Sequence, residues 1–315
     1  MKIVIPGGSG HIGRLLSGSF SADGHEVVVL SRSQAPSSSV RVVFWDGRTE
    51  GDWVDEIDGA DVVVNLAGRS VNCRYNKRNL TEMLRSRVES TEVVGAAIGR
   101  AKSPPRVWLQ SSTATIYAHT FGPAHDESGE IGGNEPDAPA YWAFSVDIAR
   151  AWERALADAV TPHTRKVALR TAILMGLGRG GAFDLLARLA RFGLGGSLGG
   201  GRQYVSWIHE TDFVRALQFL IEREDLVGPV NVAAPNPLRQ GEFMAELRRA
   251  LGARIGLPAT SWMVEIGAFA LRTDPELIMK SRRVIPGRLP DAGFAFDYPT
   301  WPPAAHELAT RWKSE

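Results

Sequence analysis

The stretch IPGGSGHIGRLL (5–16) holds residues whose type and spacing could bind a phosphate. Gly7, Gly10 and Gly13 form GxxGxxG, and Gly8, Gly10 and Gly13 also satisfy GxGxxG. Glycines so spaced let the backbone turn tightly and approach a pyrophosphate, while a helix behind them offers unpaired N–H groups and a positive dipole end. A second candidate is LSRS (30–33). A site for NAD usually ends its second strand in Asp or Glu, which binds the ribose 2′-hydroxyl. Here Ser31 and Arg32 stand there, with no carboxylate nearby. A carboxylate would repel a 2′-phosphate, and a guanidinium clamps it with charge-assisted bonds. NADP is therefore the expected cofactor.

These residues need a strand before the glycines and a helix after them. Short β-branched runs, KIVI (2–5), EVVVL (26–30), RVVFW (41–45), DVVVNLA (61–67), RVWLQSS (106–112) and KVALRTAIL (166–174), alternate with helical patterns. Continuous apolar strands separated by helices predict an α/β fold: a doubly wound, Rossmann-type parallel sheet buried on both faces. Leu80, Leu84, Val88, Thr91 and Ile98 share helical spacing, as do Ala149, Trp152, Leu156 and Val160, and both sets are expected in the core. After Leu174 come glycine-rich loops, a helix over about 210–223, the strand PVNVA and three more helical patterns. We expect a nucleotide-binding domain over 1–171, completed by about 208–233. A smaller, mainly helical substrate lobe would take 172–207 and 234–315.

Composition narrows the partners. Of 315 residues, 36 are Lys or Arg and 35 Asp or Glu, so the net charge of +1 offers no footprint for nucleic acid or an anionic membrane. A small-molecule substrate is expected. The single cysteine, Cys73, cannot form an internal disulfide, and no apolar run resembles a signal peptide or a membrane span. A cytoplasmic protein is expected, its oligomeric state unreadable. The histidines show no metal-ligand spacing, so no metal is assigned. GGSLG (195–199) fits the pattern of a hydrolase elbow but lacks the flanking strand and helix such an elbow needs. His209, in WIHETD, is read as structural, with Asp212 capping the helix that follows.

GGSGHIG, NLAG (65–68), SSTATIY (111–117) and WIHETDFVRAL (207–217) occur in the order found in the extended short-chain dehydrogenase/reductases, the NAD-dependent epimerase/dehydratase family, which the chain resembles from end to end. It is similar in particular to an atypical branch called epimerase family proteins, through SRVESTEVV (86–94), FGLGGSLGGGRQYVSWIHETD (192–212) and RVIPGRLPDAGFAFDYP (283–299). The resemblance implies that Gly7, Gly10, Ile12 and Gly13 line the pyrophosphate and that Arg32 meets the 2′-phosphate, with His11 and Ser31 also expected among the cofactor-binding residues. Asp46 would meet the adenine, and Leu66, Ala67, Gly68 and Ser111 the ribose and nicotinamide side.

In that superfamily a Ser or Thr after the fifth strand positions the substrate, and Thr113 stands at the matching place. A Tyr and a Lys four residues apart normally complete the site, the lysine drawing the tyrosine pKa down from about 10. This chain lacks the pair: its tyrosines, 75, 117, 141, 204 and 298, are followed at that distance by Asn79, Phe121, Ser145, Ile208 and Pro302. A tyrosine near pKa 10 is ionised to about one part in a thousand at pH 7, too little to act as a base on an alcohol. It can still donate a proton. Tyr141, or a water held by Thr113, is the expected donor to an alkoxide, with Ser145 the next candidate. A reductase of a small carbonyl compound is thus expected ahead of a non-catalytic NADP sensor or a sugar-nucleotide epimerase/dehydratase. The resemblance aligns Arg87 with an asparagine of the family pattern. Three residues after Leu84 and four before Thr91, at the edge of the core-facing stripe, it is expected to face the nicotinamide pocket and stabilise a developing alkoxide or hold a carboxylate or phosphate. The alternative is a surface pair with Glu82 or Glu89.

Overall fold

Alternation along each strand builds two cores at once. The computed structural model describes residues 1–33, 40–136, 138–260, 262–263, 265 and 274–314. Ile3, Ile5, Val27, Val29, Val62, Val64, Val107 and Leu109 enter one buried cluster, while Val4, Val28, Leu30, Val63 and Trp108 enter another. Successive side chains on a strand point to opposite faces, so uninterrupted apolar runs require a cover on both. The strands are β1 (Lys2–Pro6), β2 (Glu26–Ser31), β3 (Arg41–Phe44), β4 (Val62–Asn65), β5 (Val107–Thr113) and β6 (Arg165–Thr171). After β7 (Ile173–Met175), β8 (Tyr204–Val205) and β9 (Trp207–His209) comes β10 (Gly228–Val232), which completes a seven-stranded parallel sheet of order β10-β6-β5-β4-β1-β2-β3. This is the Rossmann-type sheet that the runs predict.

Helices α1 (His11–Ala22) and α5 (Glu210–Glu222) cover the first face through Leu16, Phe20, Phe213, Leu217 and Leu220. Helices α2 (Lys77–Arg100) and α3 (Ala143–Asp158) cover the second through Val93, Val94, Ala97, Ile98 and Leu156. The expected stripes shift slightly. On α2, Thr91 and Ile98 are buried while Leu84 and Val88 are only half-buried, because the inward face runs through Met83, Ser90, Val94 and Ala97. On α3, Ala149, Trp152 and Leu156 are buried, but the helix stops at Asp158 and Val160 is exposed. The run 166–174 breaks at Ala172: β6 ends at Thr171, and β7 leaves the main sheet to pair with β9.

Helices α4 (Ala182–Arg191) and α6 (Gln240–Leu251) and the C-terminal helix Trp301–Ser314 share a separate core of Phe183, Trp207, Phe243, Leu247, Trp301 and Leu308. The segment Lys280–Ile285 straps this helical region to the sheet. Arg282 N donates to Tyr204 O (2.9 Å) and Val284 N to Ser206 Oγ (2.7 Å), while His125 N donates to Arg283 O (2.8 Å) and Ile285 N to His125 O (2.9 Å). His209 caps α5 itself, its Nδ1 accepting from Thr211 N at 3.1 Å and its Nε2 bonded to Glu307 at 3.0 Å. The cap expected of Asp212 is therefore absent; that carboxylate instead accepts from Asp297 N and Tyr298 N, fixing the chain that leads to the last helix. Among the described residues no helix is long and apolar enough to cross a membrane.

Candidate functional site

The carboxyl ends of β1, β2 and β4 open onto a groove of about 270 Å3. Its glycines are there for different reasons. Gly7 has φ +75°, and a Cβ there would lie 2.7 Å from Ala67 Cα; at Gly13 it would lie 2.3 Å from Gly8 Cα, so α1 could not close against the loop. At Gly10 an added Cβ would meet only Gly7 O, at 3.8 Å. Gly10 lines the groove, and no side chain caps α1, whose first-turn N–H groups face the same opening. The fold has no packing need for glycine at this position, and the space it leaves matches a backbone cradle for a pyrophosphate. These residues fit a dinucleotide.

Ser31 and Arg32 line the same groove, and Arg32 makes no ion pair among the described residues. Asp46 lines it too, but its carboxylate already accepts from Thr49 N and Oγ1 and from Arg48 N, bonds that hold its pKa below the usual carboxylate value. Leu66, Ala67 and Gly68 form the far wall. His11 is not among the residues lining the groove, and its ring lies against Gly178 and Gly181.

Leu66, Gly68 and Arg69 also border a second cavity of about 400 Å3, so the two openings form one trough. Ile12, Ser111 and Thr113 line this cavity from the sheet side, and Ser145 and Trp152 line it from α3. Thr113 Oγ1 accepts from Thr115 N at 3.1 Å, which fixes its hydroxyl at the strand end. The helix carrying Ser145 is anchored below it: Glu153 accepts from Ser112 Oγ (2.6 Å) and pairs with Arg170 (2.8 Å), and Arg170 in turn donates to Tyr117 OH (2.9 Å).

Arg87 projects into the cavity from the inward stripe of α2. Its Nη1 donates to Met83 O at 3.0 Å, its guanidinium stacks over the Trp152 ring at 4.9 Å, and it makes no salt bridge among the described residues. Burial without a counter-charge pulls its pKa down to about 10, still cationic at neutral pH. A cation so placed favours an anion in the cavity. The stack is held from both sides, since Trp152 Nε1 donates to Thr91 Oγ1 (3.1 Å) and Thr91 Oγ1 donates to Arg87 O (2.8 Å).

Tyr141 does not join this group. It sits in the turn Ala140–Trp142 ahead of α3, is 54% exposed and does not line the cavity. Neighbouring residues of a tight turn cannot both point inward. Trp142 takes the inward place, buried against His119 at 5.3 Å. The cavity's tyrosine is Tyr75, from the loop before α2, whose pKa burial and the nearby Glu276 push well up. Glu276, from the short helix ahead of the C-terminal strap, and Arg282, from the strap itself, complete the wall. Sequence spacing points to neither: each meets Ser145 or Thr115 across more than a hundred residues of chain, and only the i, i+4 pair Glu276 and Lys280 hints at charge on one face.

Comparison with known proteins agrees with this architecture. The NAD dependent epimerase/dehydratase family model matches residues 3–233, and a domain of unknown function, DUF1731, matches 259–308. The human epimerase family protein SDR39U1 is 30% identical over 311 residues, covering 98% of this chain and 99% of that protein. The epimerase family protein YfhF of Bacillus subtilis is 29% identical over 301 residues, covering 95% and 94%. A crystal structure of human SDR39U1 (isoform 2) with NADPH superposes with a TM-score of 0.85 at 29% identity, covering 98% of this chain and 99% of that one. A UDP-N-acetylglucosamine 4-epimerase from Bacillus cereus, at 18% identity and a TM-score of 0.75, shares the fold. The glycine cradle, the sheet order and these likenesses together make the chain a member of the NAD-dependent epimerase/dehydratase family of extended short-chain dehydrogenase/reductases, in the branch of the epimerase family proteins.

Proposed function

We propose that this protein is an NADP-dependent oxidoreductase that reduces a small carbonyl compound bearing a carboxylate or phosphate. The observation that carries the reading is Arg87, a half-buried cation without an acidic partner among the described residues, facing the cavity beside Thr113 and Ser145. Arg32, free of ion pairs among the described residues and placed on the groove, supports NADP over NAD. NADPH, when bound, would supply a hydride. Arg87 would hold the anionic group and Thr113 would orient the carbonyl oxygen.

The direction of reaction follows from the same residues. Oxidising an alcohol first, as an epimerase must, calls for a base, and a tyrosine with a lowered pKa is the family's usual one. Tyr75 and Tyr141 both have pKa values raised by burial, so neither is poised to accept a proton. Stabilising a developing alkoxide and giving it a proton suits this cavity better.

A carbonyl panel decides the matter. NADPH consumption should be faster with 2-oxo acids such as pyruvate and phenylpyruvate than with their methyl esters. Tight NADPH binding with no consumption on any member would favour a non-catalytic NADP-binding protein instead.

A further inference from the structure

Among the described residues lining the cavity, Glu276 is the one carboxyl group. Glu276 is fully buried at the start of the short helix Glu276–Met279 and lines the cavity next to Ser145. Its Oε1 is in hydrogen-bond contact with Ser145 Oγ and lies 3.9 Å from both Lys280 Nζ and Arg282 Nη2. Its Oε2 has no hydrogen-bond partner among the described residues. Ser145 Oγ also lies 3.0 Å from Trp142 O. A hydroxyl has one proton, and a backbone carbonyl can only accept. When Ser145 donates to Trp142 O, its contact with Glu276 is a hydrogen bond only if the carboxyl group donates the other proton. The neutral acid satisfies both contacts; the carboxylate satisfies one.

The electrostatic surroundings agree. Burial raises the pKa of Glu276, with Asp274 adding to the rise, while Arg282, Ser145 and Lys280 oppose it. Tyr75 lines the same cavity, and its pKa is pushed up by burial and by Glu276, so it stays a neutral phenol at pH 7. Lys280 is itself held down to about 8 by burial and by Arg282, its Nζ donating to Thr115 O at 3.1 Å.

We propose that Glu276 is the proton donor of this cavity, a carboxylic acid carried in by the C-terminal segment that protonates the oxygen of a bound carbonyl ligand through Ser145. The proposal rests on the reductase reading given above. As the carbonyl carbon accepts a hydride from the reduced dinucleotide, the C=O π pair moves to oxygen. The Ser145 Oγ–H bond breaks while a new O–H bond forms on the ligand, and the Glu276 Oε1–H bond breaks as its proton passes to Ser145 Oγ. The dinucleotide is oxidised, the carbonyl becomes an alcohol, and the carboxylate left behind faces Lys280 and Arg282 until water returns the proton. The acid thus takes the part expected of Tyr141, and the missing lysine has a counterpart at Lys280, on a different element.

The first measurement needs no substrate. Infrared difference spectra of wild type minus Glu276→Gln, both with NADPH at pH 7, should contain the C=O band of a protonated carboxyl that shifts on deuteration. Ser145→Ala, which leaves Glu276 in place, should move that band to the frequency of a carboxyl without a hydrogen-bond partner. A spectrum without the band, or a band unmoved in Ser145→Ala, would overturn the proposal. The second measurement uses the 2-oxo acid panel. Glu276→Gln should lower kcat at least about 100-fold with KM and NADPH affinity nearly unchanged, and Glu276→Asp should restore part of it. Wild-type kcat should fall as pH rises through the pKa of the acid. A Gln variant as active as wild type would overturn the proposal while sparing the reductase reading. A wild type inert on every member would sink the reductase reading, and the infrared band would then decide alone whether Glu276 holds the proton.

Discussion

Buried Arg170 and half-buried Glu153 close a two-bond ion pair, Oε1 to Nε at 2.9 Å and Oε2 to Nη2 at 2.8 Å, that pins the middle of α3 to β6. Burial opposes the charge on Arg170, but its bonds to Glu153 outweigh that cost and raise its pKa. Removing one partner strands the other charge. Glu153→Ala should therefore destabilise the protein by about 3–5 kcal/mol, whereas Glu153→Leu with Arg170→Met should recover most of the loss. Urea unfolding midpoints of the two variants test this, and equal losses would deny the coupling.

The glycine loop predicts two opposite phenotypes. Gly10→Ala should leave stability unchanged, since its methyl meets only Gly7 O at 3.8 Å, yet weaken NADPH binding at least about tenfold, or 1.4 kcal/mol. Gly13→Ala drives a methyl into the backbone of Gly8 and should cost about 1–3 kcal/mol of stability. Thermal unfolding with and without NADPH separates the two effects.

Cofactor choice turns on Arg32. NADPH should bind more tightly than NADH, and Arg32→Asp should narrow or invert the preference by about 2 kcal/mol or more, because it removes an ion pair and adds repulsion. Calorimetric titration showing equal affinities in the unmodified protein would remove the basis for the assignment.

Arg87→Asn should abolish binding of pyruvate to the NADPH complex without unfolding the chain. The variant leaves no carboxylate unpaired, since Arg87 has none among the described residues, and it relieves the burial of an uncompensated charge. Its melting temperature should match or exceed that of wild type, and pyruvate should shift the melting of wild type alone.

Lys280 gives a pH-dependent signature. Its folded pKa of about 8 lies below the unfolded value near 10.4, so between those two the unfolded chain holds more protons and stability rises with pH. Below about pH 8 both states are protonated and the burial penalty is fully present. Relative to Lys280→Met, wild type should gain up to about 3 kcal/mol between pH 8 and 10.4. A stability difference that stays flat across this window would show that Lys280 titrates normally.

What the sequence reveals here is what local period and local spacing encode. The alternating runs locate the sheet strands because burial on both faces leaves little room for polar residues, and the glycine loop is visible because its constraints act within a dozen positions. Arg87 lines the cavity because it lies on the inward stripe of α2, one turn from Met83 and from Thr91. Tyr141 does not, because a single-turn rotation decides which of two adjacent aromatics points inward, and Trp142 has the larger surface to bury. Glu276 is illegible for a different reason: it becomes a neighbour of Ser145 only after 131 residues of chain have folded back.

That return path has a kinetic meaning. The strap at Lys280–Ile285 is bound on one side to Tyr204 and Ser206 and on the other to His125, and Ser281 N donates to His119 Nδ1 at 2.8 Å. Glu276 and Arg282 are thus set in position by folding rather than by the arrival of a ligand. The entropy of aligning them is met once in the life of the molecule, and encounter with a ligand need not wait for a lid.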